Sequence, residues 1–194
     1  MMNTGRLEAF SDGVIAVALT VMVLGIPVPE ETELSALYPL IPQFLTYILS
    51  FLYVGIYWSN HHHLMQAAER VSGAALWCNL HLLFWITLIP LTTAWMGRNY
   101  DAAWPTAIYG VVLLCAALAH YMFVHCLVCV HGRSSALAKA IGRDYKGKIS
   151  IVLYLTSIFL SFVHTMIPHI LYVVVALMWL VPDRRIEKSL DSPT

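Results

Sequence analysis

The chain alternates long apolar stretches with short polar ones, and the apolar stretches have the length of membrane helices. A bilayer core about 30 Å thick takes about 20 residues of α-helix to cross. Five such stretches occur, and the last, from Ile149 to Pro182, is too long for one crossing. Pro168, flanked by His164 and His169, predicts a tight turn that divides it in two. The predicted membrane spans are therefore six, at about 7–26, 39–59, 75–97, 103–130, 149–166 and 168–182.

The placement of Lys and Arg supports six spans rather than five. With six spans, both termini lie on one side, together with the connections after the second and fourth helices. Ten of the eleven Lys and Arg residues fall on that side: Arg6, Arg70, Arg133, Lys139, Arg143, Lys146, Lys148, Arg184, Arg185 and Lys188. Arg98 alone falls opposite. Because positive charge gathers on the cytoplasmic side of membrane proteins, we predict that both termini are cytoplasmic.

Composition agrees with a membrane protein and excludes several other classes. Apolar residues make up 59% of the chain and charged residues 11%, with a mean hydropathy of +0.72, whereas soluble domains average about 25% charged residues. A net charge of zero gives no reason to expect nucleic acid as a partner. The four cysteines lie in apolar stretches, which favours reduced thiols over disulfides. Cys126 and Cys129 form a CxxC pair without an evident second pair, and their role is left open.

The first span carries polar residues where a lipid-facing helix would not. It reads RLEAFSDGVIAVALTVMVLG over residues 6–25 and places Arg6, Glu8, Ser11 and Asp12 in its first turns. Two stripes overlap along it, one of small residues (Ala9, Gly13, Ala16, Thr20) and one of mostly branched apolar residues (Val17, Thr20, Val21, Leu24). Small residues let membrane helices approach closely. From spacing alone, the stripes favour a helix packed in the middle of its bundle.

Histidines form a second group of polar residues within the membrane. The segment YWSNHHHLM, residues 57–65, places Trp58, His61 and His62 on one helical face, and His81 lies near Asn79 in the third span. One interpretation is a metal or haem site. The other is that His61, His62 or His81 partners the acidic start of the first helix, since a buried carboxylate requires partners.

Three segments carry a resemblance to a known family. Arg6-x-x-x-Phe10-Ser11-Asp12-Gly13, followed by an apolar helix, resembles the signature of the transmembrane protein 175 family of bacterial and lysosomal potassium channels. YWSNHHHLM resembles the family's second helix, and WCNLHLLFWITLIPLTTAWMG (77–97) resembles its third. The resemblance covers the first three helices well and the remainder by hydropathy and length.

The resemblance implies an all-α membrane channel, not an enzyme, of six transmembrane helices per chain. It implies a homotetramer with four copies of the first helix around the pore, in the inner membrane of a bacterium. No glycine-rich P-loop filter occurs in the sequence. The permeant ion is K⁺, conducted with weak selectivity over Na⁺, and the remaining partners are membrane lipids; no cofactor is implied.

The residues implied by the resemblance fall into three sets. The pore and hydrophobic gate are assigned to Val17, Val21 and Leu24, where Val17 stands in a position that is commonly isoleucine. Selectivity is assigned to Thr20. A polar network at the cytoplasmic end of the first helix is assigned to Arg6, Phe10, Ser11, Asp12, Trp58, His61, His62, Asn79 and His81. The sequence alone leaves open which histidine contacts Asp12, what opens the gate, and the conductance.

Three other classes of protein remain as alternatives at the level of sequence. A histidine-based metal or haem membrane protein would explain the nine histidines. A secondary cation transporter would show internal inverted repeats, and none is evident. A membrane scaffold without transport activity would form an oligomer that carries no current.

Overall fold

The computed structural model describes residues 4–132, Ser135 and residues 144–180 of the 194-residue chain. Within them the chain forms six α-helices and no strand. They are α1 (Thr4–Val23), α2 (Ile41–Ala67), α3 (Gly73–Arg98), α4 (Ala103–His131), α5 (Tyr145–Leu160) and α6 (Met166–Leu180), with a 3₁₀ helix at Leu34–Leu40 before α2. Six cations used in the topology prediction lie outside the described residues: Arg133, Lys139, Arg143, Arg184, Arg185 and Lys188.

Three of the described helical segments are long and apolar enough to cross a membrane, namely Leu34–Ala67, Gly73–Arg98 and Ala103–His131. The described part of α6 is apolar but shorter. The charged residues Arg6, Glu8 and Asp12 in the first turns of α1 lower its mean hydropathy. Six membrane crossings therefore remain a prediction, whereas six helices are present in the described residues.

The ends of the helices follow local sequence signals. Ser72 caps α3, since its hydroxyl accepts a hydrogen bond from the N–H of Ala75. Asp144 does the same at α5 through the N–H of Gly147 at 2.8 Å. Gly132 follows α4 with φ at +89°, a conformation that glycine adopts at little cost.

The ends of α2, α5 and α6 differ from the predicted spans. α2 continues to Ala67, eight residues beyond the predicted span, so the three consecutive histidines extend the helix. α5 ends at Leu160 and α6 begins at Met166, so the turn lies just before Pro168, not at it. Proline is tolerated in the first turn of a helix, because the N–H groups there have no partner within the helix.

The six helices alternate in direction, and this places the start of α1 and the end of α6 at the same end of the bundle. Near that end, Glu8 of α1 contacts His62 of α2, and Trp179 of α6 donates a hydrogen bond to Ser150 of α5. At the opposite end, Arg98 of α3 donates to the carbonyl of Gly25. We call the end that contains Glu8 and His62 the network end.

The centre of the bundle is held by buried hydroxyl groups as well as by apolar packing. Thr93 donates a hydrogen bond to Ser50 at 2.7 Å, and Ser50 bonds the Tyr109 hydroxyl at 3.0 Å. Tyr53 donates to the carbonyl of Tyr172 at 2.6 Å. Since lipid offers no hydrogen-bond partners, these bonds tie α2, α3, α4 and α6 to one another. α1 packs against α2 and α3 at the margin of this core.

Candidate functional site

The buried face of α1 is fixed by a chain of three polar side chains at the network end. Ser11 donates a hydrogen bond to the carbonyl of Leu7 at 2.8 Å and accepts one from the Asn79 amide at 2.9 Å. The other end of that amide, its Oδ1, lies 2.9 Å from Nε2 of His61. Because Oδ1 can only accept, Nε2 of His61 carries the proton and donates it. Ser11, Asn79 and His61 are 0%, 0% and 1% exposed.

The surroundings of this chain hold each group in one orientation. The His61 ring stacks on Phe123 of α4, with centroids 5.6 Å apart and planes within 12° of parallel. Back-bonding to the carbonyl four residues earlier lets a serine sit inside a membrane helix without an unsatisfied hydroxyl. Ser11 therefore links α1 to α3, and through Asn79 and His61 it links α1 to α2 and α4.

A second, more exposed set of contacts lies beside the first. The indole N–H of Trp58 donates to the Asp12 carboxylate at 3.0 Å. Nδ1 of His62 lies 2.9 Å from a Glu8 oxygen, and Nε2 of His62 lies 2.9 Å from the Gln66 amide nitrogen. Because that amide nitrogen donates to Nε2, the ring proton sits on Nδ1 and is donated to Glu8. We call these five residues the outer tier.

Three of the residues grouped with this network by the sequence lie elsewhere. His81 is exposed and accepts a hydrogen bond from Trp85, one turn later on α3, at 2.9 Å. Arg6 is exposed, and its side chain makes no ion pair or hydrogen bond within the described residues. Phe10 is 53% exposed and lines the same groove as the residues assigned to the gate. His62 is the histidine that reaches an acidic residue of α1 among the described contacts, and the partner of Asp12 is Trp58.

The residues assigned to the pore lie on the opposite, uncovered face of α1. Val17 is 59% exposed, Val21 47% and Leu24 78%. Together with Phe10 and Gly13 they line an open groove whose far wall is formed by α3. The α3 residues in that groove are Thr87, Pro90 and Leu91.

Thr20 lies on this exposed face, and its hydroxyl has a defined direction. The Oγ1 atom donates its proton to the carbonyl of Val17 at 2.9 Å. The lone pairs of that oxygen are then left for other groups, since a hydroxyl accepts as well as donates. The exposed face thus offers branched apolar side chains and one oxygen oriented as an acceptor.

Two residues that contact the network histidines were not predicted from the sequence. Gln66 follows His62 by four residues, so the spacing of one helical turn could have predicted that the two side chains are neighbours. Phe123 lies on α4, outside the segments that carry the motif, and no local signal pointed to its stacking on His61.

The described residues show how the histidines are used. No group of three or more His, Cys, Asp or Glu side chains converges anywhere in the described ranges. Nε2 of His61 is committed to Asn79, and both ring nitrogens of His62 are hydrogen-bonded. His61 and His62 therefore act in helix packing.

The chain is similar in sequence to known ion channels. A family model described as the endosomal/lysosomal potassium channel TMEM175 matches residues 6–90. A potassium channel of Chryseobacterium sp. (strain P1-3) is 49% identical over 189 residues, which is 97% of this chain and 98% of that protein. The endosomal/lysosomal proton channel TMEM175 of Danio rerio is 31% identical over 137 residues, covering 68% of this chain and 25% of that protein.

A solved structure is also similar over nearly the whole chain. It is the crystal structure of a lysosomal potassium-selective channel TMEM175 homolog from Chamaesiphon minutus. The two chains superpose with a TM-score of 0.79 at 29% sequence identity, covering 94% of this chain and 97% of the other.

Proposed function

The chain belongs to the TMEM175 family of ion channels, and from that premise we propose that it is a potassium channel whose pore is lined by α1. One observation carries the proposal: α1 is held by buried polar bonds on one face and left uncovered on the face that bears Val17, Thr20, Val21 and Leu24. The choice of K⁺ as the permeant ion rests on the relatives that are named as potassium channels.

We propose that four copies assemble with this uncovered face toward a common axis. The stripe of Ala9, Gly13, Ala16 and Thr20 is exposed along it, and small residues permit close helix–helix contact in membranes. The groove between α1 and α3 would receive α1 of the neighbouring copy. The assembly thus covers a face that one copy leaves open, and Phe10 becomes a contact between copies.

A ring of four Val17 side chains would form the narrowest part of such a pore. Branched apolar side chains around a narrow passage exclude water and so block ions without any charge in the gate. Val21 and Leu24 follow on the same face, one and two turns further along α1. Opening requires this ring to widen or to become wetted.

The Thr20 oxygen would replace part of the hydration shell of the permeating ion. Potassium is the larger ion and holds its water less strongly than sodium does. A few hydroxyl oxygens on a flexible helix therefore favour K⁺ over Na⁺ moderately, whereas a rigid ring of carbonyls would discriminate more sharply. We expect weak selectivity for K⁺.

We further propose that all six helices cross the inner membrane of a bacterium, with the network end in the cytoplasm. The cations at that end favour this orientation by the positive-inside rule. The anchoring network then lies at the cytoplasmic end of the pore, and its role is to fix the rotation of α1 and not to contact the ion throughout the passage.

A flux assay with purified protein in liposomes tests the proposal. With a K⁺ gradient as the driving force, liposomes containing the protein should take up K⁺ faster than protein-free liposomes, and faster than they take up Na⁺. The mass of the detergent-solubilised protein should correspond to four chains. The proposal is contradicted if the protein gives no K⁺ flux in any lipid composition or at any pH, or if it is a stable monomer.

A further inference from the structure

The last turns of α4 carry a cysteine and a histidine whose side chains meet. Sγ of Cys129 lies 3.7 Å from Nε2 of His125, and the two residues are four apart on the helix. Both side chains are exposed. The His125 ring lies parallel to the Tyr121 ring, with planes 12° apart, and this contact limits its rotation.

This separation is close to the one that a tetrahedral metal ion imposes on two of its ligands. Zinc binds thiolate sulfur at about 2.3 Å and imidazole nitrogen at about 2.0–2.1 Å, so a tetrahedral angle places the two atoms about 3.5 Å apart. The observed distance differs from this by a few tenths of an ångström, without any change of rotamer. Thiolate and imidazole are also the ligands preferred by zinc and cadmium, and not by potassium.

The position of the pair leaves it within reach of ions in water. A helix of 29 residues is about 44 Å long, whereas the hydrocarbon core is about 30 Å thick. Trp104 at the start of α4 is typical of the membrane interface, so the surplus length falls at the His131 end. His125 and Cys129 are in that surplus.

We propose that His125 and Cys129 form a binding site for Zn²⁺ and chemically similar soft divalent cations. The Cys129 S–H bond breaks, its proton passes to water, and the sulfur and Nε2 of His125 each donate an electron pair to the ion. No electron is transferred. No third His, Cys, Asp or Glu joins the pair in the parts of the chain that the structure describes, so water completes the coordination.

The site is on a part of α4 that also supports the network end. His131, in the final turn, accepts hydrogen bonds from the backbone N–H groups of Glu69 and Arg70 through Nε2. Phe123, two residues before His125, stacks on His61. An ion that links residues 125 and 129 holds these turns in helical geometry, and we expect zinc to raise the thermal midpoint of the folded protein.

A cadmium titration of the full chain, with a non-thiol reductant present, tests the site. Binding is followed by the ultraviolet charge-transfer absorption of a cadmium–thiolate bond and by proton release. We expect about one bound ion and one released proton per chain. Cys129→Ser should abolish this signal, and His125→Ala should weaken binding about tenfold or more, because it removes one of two protein ligands.

Two matched variants separate this site from the other thiols. Cys115→Ala removes a cysteine of the same helix that has no histidine one turn away, and it should titrate like the unmodified chain. Cys126→Ala tests the rival pair, since the Cys126 thiol contacts Cys78 of α3. The proposal is overturned if Cys129→Ser retains the signal, or if Cys126→Ala or Cys115→Ala loses as much. Elution as a single folded species is required of every variant.

Discussion

The two faces of α1 differ in what holds them. The inner face at Ser11 is fixed by a 2.9 Å hydrogen bond from the Asn79 amide of α3, and both side chains are buried. On the outer face, the side chains of Val17, Val21 and Leu24 make no hydrogen bond to another helix and are roughly half to three-quarters exposed. One face is thus fixed by contacts within the chain, and the other face is uncovered.

This difference explains why the helix that we propose to line the pore begins with polar residues. Hydrophobic side chains alone would not fix the rotation of α1, because lipid tails are as apolar as the helices. Directional hydrogen bonds do fix it, since their geometry tolerates little rotation. The inner face therefore determines which residues the outer face presents.

The largest effect is expected from removing the central amide of the inner face. Asn79→Ala leaves the buried Nε2–H of His61 without its acceptor and Ser11 without its donor. We expect the free energy of unfolding to fall by about 2–3 kcal/mol, the cost of leaving a buried polar group unpaired together with the lost packing. Chemical unfolding in detergent measures this, and K⁺ flux should fall with it.

Asn60→Ala is the matched control for that change. Asn60 lies on α2 and is half-buried, and its side chain makes no hydrogen bond within the described residues. We expect it to alter stability by less than about 1 kcal/mol. Equal losses in the two variants would show that the inner face does not hold α1 in the way described.

The next largest effect concerns the outer face. Val17→Asn replaces an apolar side chain of the proposed constriction by a polar one that hydrogen-bonds water. We expect the resting leak of K⁺ to rise about tenfold or more, which corresponds to lowering the barrier by about 1.4 kcal/mol. Liposome flux measures this. Val23 is also exposed but lies outside the groove, and Val23→Asn should leave the leak unchanged. A larger leak in Val23→Asn than in Val17→Asn would show that the constriction is not on this face.

Much of the polar network, meaning the buried chain from Ser11 to His61 together with the outer tier, could be predicted from the sequence, because polar groups within a membrane require partners. Hydropathy indicated the helices, and spacing within α2 placed Trp58, His61 and His62 on one face. All three then contact another element, through Asp12, Asn79 and Glu8 respectively. Periodicity within one helix is readable from sequence, since 3.6 residues complete each turn.

The partners across helices could not be predicted in the same way. Which atom of α2 meets Asp12 depends on how far α2 is shifted along α1, and that shift is set by packing over the whole interface. A tryptophan therefore takes the place expected for a histidine. His81 illustrates the same limit, because it lies two residues after Asn79 and so points to another side of α3. The exposure of the outer face was equally unreadable from spacing, which favoured a helix packed in the middle of its bundle.

A smaller effect is expected from the hydroxyl of the outer face. Thr20→Ala removes the oxygen proposed to contact the ion but retains the helix. We expect the K⁺/Na⁺ permeability ratio to fall about two- to fivefold, since one such contact is worth about 0.5–1 kcal/mol. Reversal potentials with K⁺ and Na⁺ on opposite sides measure the ratio. Thr156→Ala removes a similar exposed hydroxyl on α5 and should not change it. An unchanged ratio in Thr20→Ala would remove Thr20 from selectivity.

The smallest effect is expected in the outer tier. Glu8→Gln removes the carboxylate charge beside His62 but keeps an oxygen that accepts the Nδ1 proton. The two side chains are 26% and 36% exposed, and partly exposed pairs of this kind contribute less than about 1 kcal/mol. Glu69→Gln is the matched control, because Glu69 is exposed and makes no ion pair within the described residues. We expect Glu8→Gln to shift the thermal midpoint by no more than this control does. A loss as large as that of Asn79→Ala would mean that the outer tier, and not the buried chain from Ser11 to His61, fixes the rotation of α1.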